Sequence, residues 1–174
     1  MTPQPVWQPA YVALGSNLDD PRRQVLQACE RLKNLPATRV IAMSPLYRTK
    51  PFGPVPQNDF VNAVAGVLTQ LDSLTLLREL RALERAMGRP DPHPKWGPRI
   101  IDLDLLVYGR ERRSDSELTL PHPGIVERNF VLYPLADIAP ELRVPGLGRV
   151  AGLKERVSAD GIWRLDNQIT PPNS

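Results

Sequence analysis

A short alternation in the second half of the chain constrains its fold more than any other feature. From Ile101 the side chains switch between apolar and acidic, and an apolar stretch then continues to residue 108. Alternation with a period of two is typical of a β-strand with one buried face. Asp102 and Asp104 therefore project from one face, roughly 6–7 Å apart at about 3.3 Å of rise per residue. The opposite face is expected to enter the core, and its members are Ile101, Leu103, Leu105 and Val107.

Two carboxylates on one strand face require positive charge nearby. Lys95 and Arg99 precede the pair in a loop that also contains glycine and proline. Carboxylates that hold a metal, beside cationic side chains that hold phosphate, suit a magnesium nucleotide. The alternative is a half-exposed strand whose aspartates form ion pairs with Arg99, since isolated Asp-x-Asp pairs are common.

Length and composition limit the class of protein. The 174 residues fit a single domain over residues 1–174, and 41% of them are apolar, enough for a proper core. No apolar run approaches the ~18 residues of a membrane span, and the N-terminus lacks the regions of a signal peptide, so a cytoplasmic protein is expected. A single cysteine, Cys29, excludes an internal disulfide, and two histidines argue against a zinc site. The net charge of +3 is too slight to indicate nucleic acid.

The order of predicted elements indicates an α+β fold. Strands are expected at residues 10–14, 39–47, 60–68 and 101–108, with helices after Asp20-Pro21 and from Asp72 or Ser73 to Gly88. This order matches a ferredoxin-like βαββαβ core, with helices packed on a mostly antiparallel sheet. Two long proline-rich loops, residues 49–58 and 89–98, predict lids over an active site. A short strand at 118–120, a mixed segment at 130–135 and a loosely packed tail from residue 161 complete the prediction.

A nucleotide enzyme needs a means of holding phosphate, and the familiar glycine-rich loops are missing from this sequence. There is no G-x-x-x-x-G-K-[ST] motif and no complete dinucleotide fingerprint. Phosphate would therefore be held by side chains, namely Arg89, Lys95 and Arg99 before the acidic strand and His122 and Arg128 after it. Each of these residues alone is typical of a solvated surface, but their joint placement around one strand favours a phosphate clamp.

Seven ordered motifs together resemble one enzyme family. They are Tyr11-Val-Ala-Leu-Gly-Ser-Asn-Leu18, Ser44-Pro-Leu-Tyr-Arg-Thr49, Phe60-Val-Asn-Ala63, Gly88-Arg89, Trp96-Gly-Pro-Arg-Ile-Ile-Asp-Leu-Asp-Leu105, Leu120-Pro-His122 and Arg128-Asn-Phe-Val-Leu-Tyr-Pro-Leu135. Over residues 10–142 the chain is similar to the 6-hydroxymethyl-7,8-dihydropterin pyrophosphokinases of folate biosynthesis. Seven matches in order are far more specific than the Asp-x-Asp pair alone.

The resemblance implies transfer of the β,γ-pyrophosphoryl group of ATP to the hydroxymethyl oxygen of the pterin, with AMP released. Positioning and charge neutralisation dominate such a transfer. The resemblance further implies two Mg²⁺ ions held by Asp102 and Asp104, with Arg89 and Arg99 as catalytic cations. The expected partners are ATP and the pterin, in a monomer that binds neither nucleic acid nor membrane. The implied nucleotide-binding residues are Glu84, Lys95, Leu105, Thr119, His122 and Arg128.

The pterin side of the site follows partly from strand periodicity. Phe60 and Asn62 share a strand face, so one can stack on a flat heterocycle while the other reads its amide-like edge. The resemblance adds Phe130 as the opposite stacking surface, while ordinary core packing is the alternative for each aromatic residue. The implied pterin-binding residues are Thr49, Lys50, Phe52, Phe60, Asn62, Trp96 and Phe130.

Three residues depart from the family pattern, and two other classes of protein share parts of it. Asp91, Lys95 and Glu117 stand where family members often carry arginine. Because lysine lacks the bidentate fork of arginine, we expect the same reaction with a differently balanced grip on ATP. A noncatalytic nucleotide- or RNA-binding module would need surface aromatic residues in RNP-like strands, which the sequence lacks. A phosphohydrolase or nucleotidyltransferase could use the same aspartate pair, and its products would distinguish it.

Overall fold

The computed structural model describes residues 4, 6–51, 53–88 and 100–165. The strands are β1 (Gln8–Ser16), β2 (Thr38–Met43), β3 (Tyr47–Thr49), β4 (Phe60–Thr69), β5 (Asp102–Tyr108), β6 (Arg113–Ser114), β7 (Thr119–Leu120), β8 (Arg143–Val144), β9 (Gly148–Arg149) and β10 (Ile162–Arg164). The α-helices are α1 (Pro21–Leu32), α2 (Ser73–Ala86), α3 (Asn129–Ile138) and α4 (Val150–Glu155), and a 3₁₀ helix spans Ile125–Glu127. Within these described ranges, no helix is long and apolar enough to cross a membrane.

One antiparallel sheet organises the fold. Its strand order is β10-β3-β4-β1-β5, and β2 pairs with the same strand, β4, as β3 does. A first core cluster joins α1 and α2 to the sheet, and a second joins α3 and α4 to it. The arrangement confirms the predicted α+β fold with its ferredoxin-like βαββαβ core.

Both predicted helix starts are confirmed by their caps. The Asp20 carboxylate accepts a hydrogen bond from the Arg23 N–H, with Pro21 at the first helical position. Asp72 accepts from the Thr75 N–H at 2.8 Å, which satisfies a donor that the helix itself leaves unpaired. Gly88 follows α2 with φ of 96°, a left-handed conformation that favours glycine.

A β-bulge changes the apolar face of β5. Val12 of β1 pairs with Leu105, but the preceding Tyr11 pairs with Val107, so Leu106 is an extra residue in the strand. Leu105 accordingly packs in the first core cluster and Val107 in the second. The prediction that Val107 shares a face with Leu105 is therefore wrong, because the bulge reverses the alternation.

The predicted strand at residues 39–47 is interrupted. Pro45 cannot donate a backbone hydrogen bond. At this break in the strand, the Val64 N–H donates to Ser44 Oγ at 2.9 Å instead of to a backbone carbonyl. The result is two short strands, β2 and β3, that pair with different parts of β4. The segment at 130–135, which carried a mixed signal, lies in α3 even though Pro134 is inside the helix.

The tail from residue 161 is not loosely packed as far as the structure describes it. Strand β10 pairs antiparallel with β3. On either side of that pairing, the Lys50 N–H donates to the Gly161 carbonyl at 2.9 Å and the Leu165 N–H donates to the Leu46 carbonyl at 2.8 Å. For residues 161–165 the prediction of a loosely packed tail is wrong, because their partner strand lies more than a hundred residues earlier in the chain and local patterns give no signal of it.

Candidate active site

The candidate residues gather where four strands of the sheet share one end. Gly15, near the end of β1, pairs with Asn62 of β4 on one side and Asp102 of β5 on the other. Residues paired across antiparallel strands point to the same face, so the Asn62 and Asp102 side chains lie on one face of the sheet. With about 4.8 Å between strands, the backbones of these two residues are roughly 10 Å apart. Gly15 lies between them and has no side chain, so it does not fill the space between Asn62 and Asp102.

This face of the sheet is the one that α3 covers. Phe60, Asn62 and Val64 are every second residue of β4, so their side chains share one face. Val64 belongs to the core cluster that contains residues of α3. Phe130, near the start of α3, is half-buried and packs against the same cluster. The structure therefore places Phe60 and Asn62 on one face, as strand periodicity predicted, and Phe130 packs against the core cluster on that face.

The Asn62 amide is held between two neighbours. Its Nδ2 donates to Thr49 Oγ1 at 2.6 Å, and both residues are buried. Its Oδ1 lies over Gly15, so close that a Cβ at residue 15 would stand only 2.6 Å away. The amide orientation is thus set by Thr49 on one side and by the missing side chain of Gly15 on the other.

Asn17 is a second buried amide at this end of the sheet, and the sequence prediction did not include it. It is 1% exposed, and its Nδ2 donates to Gln57 Oε1 at 2.7 Å and to the Asn58 carbonyl at 3.1 Å. These bonds attach the end of β1 to the proline-rich loop before β4. The Gly15-Ser-Asn turn directly after a strand was the available signal.

The two aspartates lie in a partly desolvated position. The Asp104 side chain is 26% exposed, and its Oδ1 is 3.9 Å from Arg81 Nη2. Burial, together with the negative charge of Asp102, raises the pKa of Asp104 to about 7. Two carboxylates that are close together and partly desolvated repel each other, so a bound cation would stabilise them. Within the part of the chain that the structure describes, no three histidine, cysteine, aspartate or glutamate side chains gather as a metal cage.

Glu84 lies behind the aspartates rather than on the surface. Its side chain is 2% exposed, and Oε2 accepts from the Leu103 N–H at 3.1 Å. Its other oxygen, Oε1, accepts from Arg81 Nη1 at 2.7 Å, and the same nitrogen donates to the Leu103 carbonyl at 2.7 Å. Arg81 was missed by the sequence prediction. The available signal was its position three residues before Glu84, on the same helix face.

His122 is a neutral hydrogen-bonding group. Burial, and then the positive charge of Arg128, lower its pKa to about 4. Nδ1 accepts from the Gly124 N–H at 3.0 Å, so the neutral ring carries its proton on Nε2. His122, which the sequence predicted as part of a phosphate clamp, can therefore donate a hydrogen bond from Nε2 but carries no positive charge at pH 7.

Arg128 supplies charge beside that histidine. Its guanidinium crosses Gly124, where a Cβ would come within 2.6 Å of Nε, and its Cζ lies 5.7 Å from the centre of the Phe130 ring. Arg128 also lowers the pKa of Asp104, although desolvation and Asp102 outweigh that effect. The structure thus places Arg128 near the Phe130 ring and within electrostatic range of Asp104.

The side chains of several predicted residues are not gathered with those of Asn62 and the two aspartates. The exposed Lys50 side chain lies near Trp163, with Nζ 5.9 Å from the ring centre. Leu105 is 2% exposed in the core, so it could meet a nucleotide only through its backbone, and Thr119 is half-buried in β7. Glu117 forms an exposed ion pair with Arg78 at 3.4 Å. Other predicted residues lie outside the described ones, namely Phe52, Arg89, Asp91, Lys95, Trp96 and Arg99.

Comparison with known proteins gives one consistent family. The model of the 7,8-dihydro-6-hydroxymethylpterin-pyrophosphokinase family matches residues 11–140. A 2-amino-4-hydroxy-6-hydroxymethyldihydropteridine pyrophosphokinase of Pseudomonas aeruginosa is 46% identical, over 91% of this chain and 97% of the relative. The enzyme of the same name from Haemophilus influenzae is 43% identical, over 78% of this chain and 84% of the relative.

Solved structures agree on the fold. The Plasmodium falciparum HPPK-DHPS crystal structure with pteroate superposes with a TM-score of 0.70, at 16% identity. The match covers 90% of this chain and 43% of that longer chain. At this identity the likeness concerns the fold alone, and it agrees with the ferredoxin-like sheet described above.

Proposed function

The chain belongs to the 7,8-dihydro-6-hydroxymethylpterin-pyrophosphokinase family, and we propose that Asp102 and Asp104 hold magnesium for its reaction. That reaction is the ATP-dependent transfer of a pyrophosphoryl group to the hydroxymethyl group of 6-hydroxymethyl-7,8-dihydropterin, a step of folate biosynthesis that releases AMP. The observation that carries the assignment is the aspartate pair on the open face of β5, one strand away from Gly15 and two strands away from Asn62.

The donor set fits magnesium. Mg²⁺ in nucleotide sites takes one or two carboxylates and fills its remaining positions with phosphate oxygens and water. Two aspartates without a third acidic ligand in the described structure suit that mode better than a closed protein cage. The raised pKa of Asp104 also indicates a site that gains stability from a cation. When bound, Mg²⁺ neutralises the phosphate charge that develops during transfer, and we propose two such ions.

The pterin side is built from residues that the fold holds in place. Asn62, oriented by Thr49 and Gly15, presents an amide that can complement the amide-like edge of the pterin ring. Phe60 and Phe130 supply flat apolar surfaces on the same face of the sheet, where stacking would keep the ring in plane with that amide. The distance between Asn62 and the aspartates leaves room for the hydroxymethyl group to point towards the phosphates.

The nucleotide side combines one described cation with a neutral donor. Arg128 stands near both Asp104 and His122, and it would pair with phosphate oxygens through its planar fork. The Nε2–H of His122 would donate to phosphate without adding charge. Thr119 and the backbone of Leu105 complete the proposed contacts here, and Glu84 supports them from behind β5. We propose that Arg89, Lys95 and Arg99 extend this clamp, and Phe52 and Trp96 the pterin pocket.

Nucleotide analysis of a single reaction tests the function. The protein is incubated with Mg²⁺, ATP and 6-hydroxymethyl-7,8-dihydropterin, and matched reactions lack either the pterin or the metal. AMP should accumulate only in the complete mixture. ADP as the nucleotide product, or equal turnover of ATP without pterin, would contradict the proposal. The expected monomeric state and cytoplasmic location remain predictions from the sequence.

A further inference from the structure

Side chains of α2 form hydrogen bonds with the outer edge of β5 at Leu103, the residue between the two aspartates. Among the residues that the structure describes, β5 is an edge strand of the main sheet. At Leu103 the N–H donates to Glu84 Oε2 at 3.1 Å, and the carbonyl accepts from Arg81 Nη1 at 2.7 Å. Two side chains of α2 therefore provide the donor and the acceptor that a neighbouring strand would otherwise supply.

These bonds hold the two peptide groups that flank Leu103. Its N–H belongs to the peptide unit shared with Asp102, and its carbonyl belongs to the unit shared with Asp104. Each unit is planar and contains the neighbouring Cα atoms, so fixing both units fixes φ and ψ of Leu103 and the relative positions of the Asp102 and Asp104 Cα atoms. Since Leu103 itself is fully buried on the opposite face, the backbone there has little freedom to rotate.

Arg81 is the centre of this arrangement. The same guanidinium nitrogen, Nη1, donates to the Leu103 carbonyl and to Glu84 Oε1, both at 2.7 Å. A second nitrogen, Nη2, lies 3.9 Å from Asp104 Oδ1. The guanidinium thus orients Glu84, holds the strand and attracts the second aspartate at the same time. The side chain is 41% exposed, so it borders the open side of the site.

We propose that Arg81 is a positioning residue that sets the spacing of Asp102 and Asp104 for a magnesium nucleotide. The inference rests on the proposed role of those aspartates. Lysine at this position would keep the charge, but its single ammonium cannot reproduce the planar fork. Arg81→Lys should therefore recover only part of what Arg81→Met loses, which separates geometry from charge.

The chain offers a matched control on the same helix. Arg78 lies one turn earlier on α2, is 66% exposed, and pairs with Glu117 away from Leu103. Three variants, Arg81→Met, Arg81→Lys and Arg78→Met, are compared with the unaltered protein. Calorimetry measures how tightly each binds a nonhydrolysable ATP analogue with and without Mg²⁺, and separately how tightly each binds 6-hydroxymethyl-7,8-dihydropterin. Thermal melting identifies any variant that fails to fold.

A second readout needs no ligand. Exchange of the Leu103 amide proton, followed by NMR in the metal-free protein, reports whether the bond to Glu84 persists. Arg81→Met should expose that amide, because Glu84 loses the group that orients it, while amides in β1 should remain protected. A general loss of stability would instead raise exchange across the sheet.

We expect Arg81→Met to weaken Mg²⁺-dependent binding of the analogue by roughly tenfold or more, as for loss of a hydrogen bond from a charged group. Arg81→Lys should fall between that variant and the unaltered protein, and binding of the pterin should be unchanged in both. Arg78→Met should match the unaltered protein in every measurement. If folded Arg81→Met and Arg81→Lys bind the magnesium analogue as Arg78→Met does, Arg81 has no positioning role. If the unaltered protein itself shows no Mg²⁺-dependent binding, the role proposed for the aspartates fails instead.

Discussion

Gly15→Ala should disable the pterin side of the site without a substitution in any residue proposed to touch the ligand. The new Cβ would lie 2.6 Å from Asn62 Oδ1 and 3.7 Å from its Cγ. The first distance is well below van der Waals contact, so the amide must move. Its other end is bonded to Thr49 Oγ1 at 2.6 Å, so any rotation that relieves the contact breaks or strains that hydrogen bond.

The magnitude follows from these two effects. Adding a methyl group to a well-packed position costs about 1–3 kcal/mol of folding stability. A displaced amide also loses its place against the pterin edge, and an unsatisfied buried polar group costs about 1–3 kcal/mol. Because 1.4 kcal/mol is a factor of ten, affinity for the pterin should fall by roughly tenfold or more, while affinity for an ATP analogue should change little.

The assay is calorimetry with pterin and, separately, with a nonhydrolysable ATP analogue, alongside denaturant unfolding. Gly152→Ala is the control, because nothing lies within 4 Å of a Cβ there and alanine favours a helix by up to about 1 kcal/mol. In an Asn62→Ala background, Gly15→Ala should have no further effect on pterin binding, since the amide it displaces is absent. Full pterin affinity in Gly15→Ala, or an unchanged effect in the Asn62→Ala background, would refute the reasoning.

Three further predictions concern the two aspartates, Phe130 and His122. Asp102→Ala and Asp104→Ala should each lower turnover on the order of 10³ or more with pterin binding largely kept, and a variant that retains a tenth of the activity would make the carboxylates structural. Phe130→Ala should weaken pterin binding by up to roughly tenfold, and calorimetry that shows a larger loss for the ATP analogue would assign this residue to the nucleotide. His122, with its pKa lowered to about 4, should stay neutral by ¹⁵N NMR from pH 8 to pH 5.5, and titration near pH 6.5 would contradict its burial. The contribution of neutral His122 to folding stability should be complete above pH 6.5 and should be lost as pH falls towards 4. The raised pKa of Asp104 changes stability in the opposite direction over the same pH range. The effect of the histidine is therefore measured as the difference in unfolding free energy between the unaltered protein and His122→Gln.

The sequence predicted the core elements well because their signals are local. Alternation along β5 and the helical spacing of α1 and α2 each reflect one buried face. Such a pattern can be recognised within a short stretch of sequence, without knowledge of what packs against that face. The caps at Asp20 and Asp72 are equally local, since each side chain bonds a backbone N–H three residues ahead. The element order then limited the topology to a ferredoxin-like arrangement.

The features that the sequence did not predict depend on distant contacts. Strand β10 forms because β3 offers it a free edge, and a strand of only three residues carries no pattern of its own. The bulge at Leu106 depends on how β5 meets β1, so the reversal at Val107 could not be read from alternation. Residues 130–135 gave a mixed signal because a proline inside a helix is locally unfavourable, yet Pro134 lies inside α3 and packing of its neighbours against the sheet overrides that local preference.

The residues of the candidate site divide in the same way into those with a local signal and those that depend on distant contacts. Asn62, Phe60 and the aspartates were identified because motif and periodicity agreed, and the structure gathers them on one face. Arg81 was missed because its importance lies in a bond to the Leu103 carbonyl, and a bond to backbone leaves no trace in residue type. The neutral state of His122 likewise depends on burial and on the Gly124 N–H, neither of which a histidine in a sequence reveals.

The position of the metal tests the central claim most directly. Crystals are grown with Mn²⁺ in place of Mg²⁺ and with a nonhydrolysable ATP analogue, and anomalous scattering then locates the manganese. The account predicts manganese with carboxylate oxygens of both Asp102 and Asp104 within about 2.5 Å, and no such density in Asp104→Asn crystals grown in the same way. Manganese bound only to the phosphates, with neither aspartate in its coordination shell, would contradict it.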